Sequence, residues 1–206
     1  MISYVFEHSI DQRVLDSACN LLKKGCLLCF PTDTSWIIVC DPTIKEAITK
    51  FYSLKSEDKT KHYSLLCNSI SMASEVAFVD DKHFKVIKKN IPGHFTFILE
   101  AQKSVRKYIK ASKTDREIGL RFPPGLIVTK LIESYEKPLI STNLTHELLK
   151  LEKDQLIYPL LIEDCLGHLI SMIIDPGEVN FVGPSTIVSL MGQIPEILRQ
   201  GAGQLK

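Results

Sequence analysis

Five short polar segments hold the residues of this chain that could do chemistry: PTDT at 31–34, RFPP at 121–124, STN at 141–143, ST at 185–186 and RQGAG at 199–203. Each adjoins a stiff apolar run of about strand length (CLLCF, IGL, PLI, IVSL and EIL), as a buried strand should be. The polar groups are small hydroxyls, two amides, one carboxylate and the two guanidiniums of Arg121 and Arg199. That set suits a pocket for a small anion, which hydroxyls and amides orient and guanidinium forks neutralise. The segments are scattered, so only folding can bring them together.

Taken singly, each segment has a second reading. Thr32, Asp33 and Thr34 follow a proline-fixed turn and can equally close an Asx- or ST-turn on their own backbone. Arg121 lies between Leu120 and Phe122 on an apolar strand, so it needs an anionic partner, either a core carboxylate or a ligand. Ser141 and Asn143 end a strand, where binding loops of open sheets lie, and Ser185 and Thr186 begin one.

Other chemistries find little support. Cys26 and Cys29 have C-x-x-C spacing but sit within an apolar strand, which predicts buried, inert thiols. The six histidines show no H-E-x-x-H spacing, and no metal site held by protein ligands alone is expected. No G-x-S-x-G elbow, Walker loop or dinucleotide fingerprint occurs. With 206 residues, 45% hydrophobic and 24% charged, the chain fits one globular domain. No apolar run approaches the ~20 residues of a membrane span, no signal peptide is visible, and six scattered cysteines suggest reduced thiols in a cytoplasm. Net charge is +1, yet residues 82–116 hold ten Lys or Arg against Glu100 and Asp115. Lys85, Lys88, Lys89, Arg106, Lys107 and Lys110 in that stretch would suit an RNA backbone, or simply form a solvated helix face.

Helices and strands alternate along the chain. Helical spacing covers 11–24, with Gly25 as its C-cap. Strands are expected at 26–30 and 35–40, then a helix to Leu54 opened by a Thr43–Glu46 capping box. Further elements are a strand at YSLLC, a lysine-rich helix at 81–89, a strand at 94–101, a helix from Pro124 to about Glu136, a strand at 138–141 and a helix near 153–165. Strands near 169–174, 185–190 and 194–199 close the chain. The pattern is that of a single α/β domain around a twisted sheet, spanning 1–206 with its core in about 10–203.

In order, the segments resemble the YrdC/TsaC superfamily of threonylcarbamoyl-AMP synthases. The matching pieces are FPTDTSWIIVCDP (30–42), LKSEDK (54–59), YSLLC (63–67), PGHFTFIL (92–99), IGLRFP (118–123), PLISTN (138–143), PSTIVSL (184–190) and ILRQGAG (197–203). The stretch from HYSLLC to HFTFIL looks closest to the YciO-like branch. The resemblance implies a twisted, open, mixed sheet flanked by helices around a large, positively lined cavity. It implies formation of threonylcarbamoyl-AMP from L-threonine, bicarbonate and ATP, for modification of adenosine in tRNA. Mg2+ would arrive on the ATP phosphates.

Carried over by position, Thr32, Thr34, Ser64, Arg121 and Ser185 would hold threonine, with Arg121 on its carboxylate. Lys55, Lys59, Ser141, Asn143, Thr186 and Arg199 would face the nucleotide, and Lys55 and Arg121 would carry the catalysis. The chain departs from the family at three places. The K-x-R clamp reads Lys55-Ser56-Glu57, putting a carboxylate where an arginine should meet phosphate. PTxTVYGL reads PTDTSWIIV, with Ile37 for glycine, and STSAN reads STNLT. These departures imply weak or altered synthase activity, or a relative that binds tRNA or double-stranded RNA without turnover.

Overall fold

A computed structural model describes residues 1–6, 9–54, 63–106 and 116–206. Its elements are β1 (Ile2–Tyr4), α1 (Gln12–Lys23), β2 (Leu27–Pro31), β3 (Trp36–Cys40), α2 (Lys45–Ser53), β4 (Ser64–Leu66), α3 (Ile70–Val76), α4 (Asp81–Asn90), β5 (Phe95–Glu100), α5 (Lys103–Arg106), β6 (Glu117–Arg121), α6 (Leu126–Tyr135), β7 (Leu139–Asn143), α7 (His146–Leu149), α8 (Pro159–Leu166), β8 (Ile170–Asp175), β9 (Thr186–Ser189) and β10 (Glu196–Arg199). Among the described residues the strands form one mixed sheet in the order β1-β8-β2-β3-β7-β4-β6-β5-β9-β10.

Local chemistry sets the helix ends. Asp11 caps α1 by accepting from the Arg13 N–H, and Gly25 follows its end at φ +73°, a conformation that favours glycine. Asp80 caps α4 through the N–H groups of Lys82 and His83. The expected Thr43–Glu46 capping box is absent: the Thr43 hydroxyl donates to Asp41 Oδ1 (2.6 Å), and α2 begins after Ile44 without a side-chain cap. Pro124 does not open α6; Gly125 takes the N-cap at φ +132°. The helix expected from 153 starts only at Pro159, where a proline is tolerated because its missing N–H would be unpaired anyway.

Both faces of the central strands are buried, as their near-continuous apolar sequences require. On one face Leu15, Ala18 and Leu22 of α1 and Ile127, Val128 and Leu131 of α6 pack on Leu28, Phe30, Ile37, Val39, Leu66 and Leu139. On the other, Ala47 and Phe51 of α2, Ala73 and Val76 of α3, Ile87 of α4 and Ile162 of α8 pack on Leu27, Trp36, Ile38, Leu65, Phe97, Leu120 and Val188. No helix among the described residues is long and apolar enough to cross a membrane.

Candidate functional site

Strand register places the site. In one row Val39, Ser141, Ser64, Gly119, Ile98 and Ser189 are aligned partners across β3, β7, β4, β6, β5 and β9. In the next, Leu139, Leu66 and Arg121 are aligned, while Thr96, Ile187 and Arg199 are aligned across β5, β9 and β10. These rows belong to the face that α1 and α6 cover, and side chains alternate faces along a strand. Under those helices the rows are apolar: Val39, Leu139 and Leu66. Beyond them the residues turn polar, and the face opens into a cavity of about 480 Å³. Tyr63, Ser64, Thr96, Ile98, Glu117, Gly119, Arg121, Ser141, Asn143, Ser185, Ile187, Leu198 and Arg199 line it.

Arg121 is the buried charge in its floor, 4% exposed. Its Nη2 donates to Thr34 Oγ1 (2.9 Å) and Asp33 Oδ1 (3.2 Å), while its Nε is buried without a hydrogen-bond partner. Burial pulls the guanidinium below the usual arginine range, and Arg199 adds to that; Asp33 opposes both. The other Asp33 oxygen, Oδ2, accepts from His94 Nδ1 (2.6 Å) at the head of β5. Asp33 thus stands behind Arg121 as a shared counter-ion, reached from β6 on one side and β5 on the other.

Hydroxyl pairs flank the guanidinium. Ser64 and Ser141 lie 3.1 Å apart across β4 and β7, and Ser141 also donates to the Ser64 carbonyl (3.1 Å). Thr96 and Ser185 lie 2.9 Å apart. Arg199 forks onto the Ser185 carbonyl through Nη2 and Nε at 2.7 and 3.3 Å, which fixes its guanidinium beside the cavity. Gly119 leaves the floor low: a Cβ there would lie 3.2 Å from Thr96 Cγ2 and 3.3 Å from the Tyr63 carbonyl. Glu117 is the one carboxylate among the described lining residues, so the donor set suits an anion and offers a cation a single ligand.

Of the residues singled out from the sequence, Ser64, Arg121, Ser141, Asn143, Ser185 and Arg199 come together in this cavity. Thr32 and Thr34 stay in the turn and do not line it. Thr32 Oγ1 donates to the Ser35 carbonyl (3.1 Å), and Thr34 reaches the cavity only through Arg121. Thr186 is a correction: strand alternation turns it away from Ser185, toward the core. Its hydroxyl donates to the Gly203 carbonyl (2.7 Å), accepts from the Gly201 N–H (2.9 Å) and is wholly buried. Ile37 is also a core residue and leaves the cavity wall untouched.

Arg106 is withdrawn from the basic surface, because it pairs with Glu100 Oε1 (2.8 Å) and donates to the Ala101 carbonyl. Lys85, Lys88 and Lys89 are exposed on α4, with Lys88 Nζ 5.5 Å from the Phe84 ring centroid. Cys29 is buried, and burial raises its thiol; Cys26 is half-buried and free. Lys55, Lys59, Lys107 and Lys110, with Glu57, lie outside the described residues. Among residues the sequence did not single out, Thr96, Ile187 and Leu198 line the cavity and His94 holds Asp33. Thr96 and His94 stood in the quoted PGHFTFIL; the alternation of FTFIL, with Thr96 on the face opposite Phe95 and Phe97, was the available signal.

The Sua5/YciO/YrdC family model, described as "Telomere recombination", matches residues 20–201. The chain belongs to that family. Over 203 residues it is 28% identical to the uncharacterized protein YciO of Escherichia coli K12, covering 98% of this chain and 96% of that one. The crystal structure of E. coli YciO superposes with a TM-score of 0.86 over 99% of this chain and 97% of that one. A threonylcarbamoyl-AMP synthase of Psychromonas ingrahamii is 30% identical over 137 residues, 65% of this chain and 71% of that one. P. abyssi Sua5, crystallised with L-threonine, shares the fold at 22% identity and a TM-score of 0.80, over 98% of this chain and 57% of that one.

Proposed function

We propose that the chain forms threonylcarbamoyl-AMP from L-threonine, bicarbonate and ATP. The observation that carries this reading is the buried Arg121 in the cavity floor, with one N–H lacking a partner and hydroxyl pairs on either side. A guanidinium so placed, with only one counter-ion at 3.2 Å, favours a carboxylate ligand. Kinship with a threonylcarbamoyl-AMP synthase, and a related Sua5 crystallised with L-threonine, make threonine the substrate to test. The volume, about 480 Å³, lies in the range of small-molecule sites.

In this reading Arg121 holds the threonine carboxylate, and Ser64 and Ser141 orient the amino-acid end. The amine attacks bicarbonate, losing a proton and releasing water, to give a carbamate. A carbamate oxygen then attacks the ATP α-phosphorus, the bond to the β-phosphate oxygen breaks, and pyrophosphate leaves. No protein nucleophile is needed; positioning and charge neutralisation supply the rate. Ser185 would add a hydroxyl at the threonine end, Arg199 would meet phosphate oxygens, and Asn143 would border the nucleotide. By the family resemblance alone, Lys55 and Lys59 would complete the proposed clamp and Glu57 would oppose them. Mg2+ belongs to the nucleotide as substrate and would contribute charge neutralisation on the phosphates.

The test is pyrophosphate release from ATP with threonine and bicarbonate each supplied or withheld. Release requiring both, and abolished by Lys55→Ala or Arg121→Ala, is the expected result; release independent of threonine contradicts the reading. A second reading, an RNA-binding module without turnover, draws on the exposed lysines of α4. It predicts no release, with salt-sensitive binding to tRNA or double-stranded RNA that Lys85→Ala, Lys88→Ala and Lys89→Ala weaken together.

A further inference from the structure

We propose that His94 is a positioning residue that sets how much positive charge Arg121 presents to an anion in the cavity. The inference rests on the reading of Arg121 as the anion's anchor. Asp33 is shared: Oδ1 meets Arg121 Nη2 at 3.2 Å and Oδ2 meets His94 Nδ1 at 2.6 Å. The aspartate is 5% exposed and its arginine 4%, so the pair lies beyond easy reach of solvent screening, while the imidazole is one-third exposed and open to protons. With the imidazole neutral, arginine and aspartate sum to zero. With it protonated the three groups sum to +1, and the gain lies behind the cavity floor. An anion at Arg121 therefore favours the protonated imidazole, and by linkage protonation tightens the anion.

His94 is also tied in through its backbone. Its backbone carbonyl accepts from the Thr186 N–H (2.9 Å), and Gly203 packs against the same carbonyl. The turn after β2 contributes Asp33; β6 contributes Arg121 behind it; β10 contributes Arg199, which acts on Arg121 through space. The turn is held in place by the Val182 N–H, which donates to the Asp33 carbonyl (2.9 Å). Among these groups Asp33 is the one that the imidazole contacts directly.

Two measurements test the proposal. Calorimetry of L-threonine binding between about pH 5.5 and about pH 8 spans the range in which a histidine changes charge, and roughly threefold to tenfold tighter binding at the acid end is expected. In His94→Gln, which can still hydrogen-bond Asp33 but does not titrate, the profile flattens. Independently of any ligand, an NMR titration of the His94 ring compares wild type with Arg121→Gln, or with Arg121→Met if the first variant does not fold. Removing the guanidinium leaves the whole aspartate charge to the imidazole, so its curve moves to higher pH. Displaced curves with a threonine profile that His94→Gln flattens support the proposal. Displaced curves without threonine binding support the coupling and overturn only the threonine reading. Superimposed curves, or displaced curves with pH-independent threonine binding in wild type, overturn the proposal.

Discussion

Asp33→Asn should weaken the fold while strengthening the site. Asp33 and Arg121 are 5% and 4% exposed, so the substitution leaves a guanidinium buried without its counter-ion. Breaking one side of a buried pair costs about 3–5 kcal/mol, and the near-isosteric amide, which can still accept from Arg121, puts this case near about 3. At roughly 2–4 °C per kcal/mol for a chain of this size, the melting temperature should fall by about 6–12 °C. Binding should move the other way, since a negative charge is removed from behind the group proposed to hold the threonine carboxylate. Ligand then restores stability: at 100 times its Kd, threonine contributes about 2.7 kcal/mol, nearly the whole deficit. The assay is thermal unfolding by circular dichroism across a threonine series, with calorimetry on the same samples. A variant that keeps wild-type stability refutes the buried-pair argument, and one that loses threonine affinity refutes the role given to Asp33.

Three further substitutions separate architecture from site. Thr186→Val removes a buried hydroxyl that serves Gly203 and Gly201, and should cost about 1–3 kcal/mol in denaturant unfolding without changing threonine affinity. Ser185→Ala, one residue away on the cavity side, should do the reverse in the same pair of assays. Gly203→Ala would put a Cβ 2.7 Å from the Phe95 ring and 2.9 Å from the His94 carbonyl, and thermal melts should show a loss of about 1–3 kcal/mol. Tyr135→Phe concerns acid stability. Burial disfavours the Asp41 charge, but hydrogen bonds from Thr43 and Tyr135, with Lys137 nearby, outweigh it and hold the carboxyl below the usual range. A depressed carboxyl stabilises the fold above its unfolded value near 3.9, and that contribution is lost as pH falls through the folded value. Without the tyrosine hydroxyl the folded value rises, so the acid-unfolding midpoint should move to higher pH.

The alternating elements were readable because buried strands and polar turns leave strong marks on sequence, whereas the convergence of distant strand ends was implied only by the family resemblance. Arg121 was readable as a charge needing a partner, but its neighbours left open which partner. The structure supplies Asp33, while the unpaired Nε keeps a ligand in play. Thr186 misled because two adjacent hydroxyls do not reveal which of them faces the core; the phase is fixed only by Val188 packing beneath β9. Arg106 looked like part of a basic surface because its partner, Glu100, lies six residues back on a preceding strand. The helix at Ile70–Val76 is too short for its periodicity to register, although Ser69 does cap it. His94 carries no local sign of its role, since its aspartate is 61 residues away.

The central claim is that the cavity floor recognises a carboxylate through Arg121. Calorimetry of L-threonine against L-threoninol, which lacks the carboxylate, tests it most directly in wild type and Arg121→Gln. The account predicts that wild type binds threonine and discriminates strongly against threoninol, and that the variant binds both weakly and alike. Equal binding of the two ligands by wild type, or discrimination that survives the loss of the guanidinium, would contradict it.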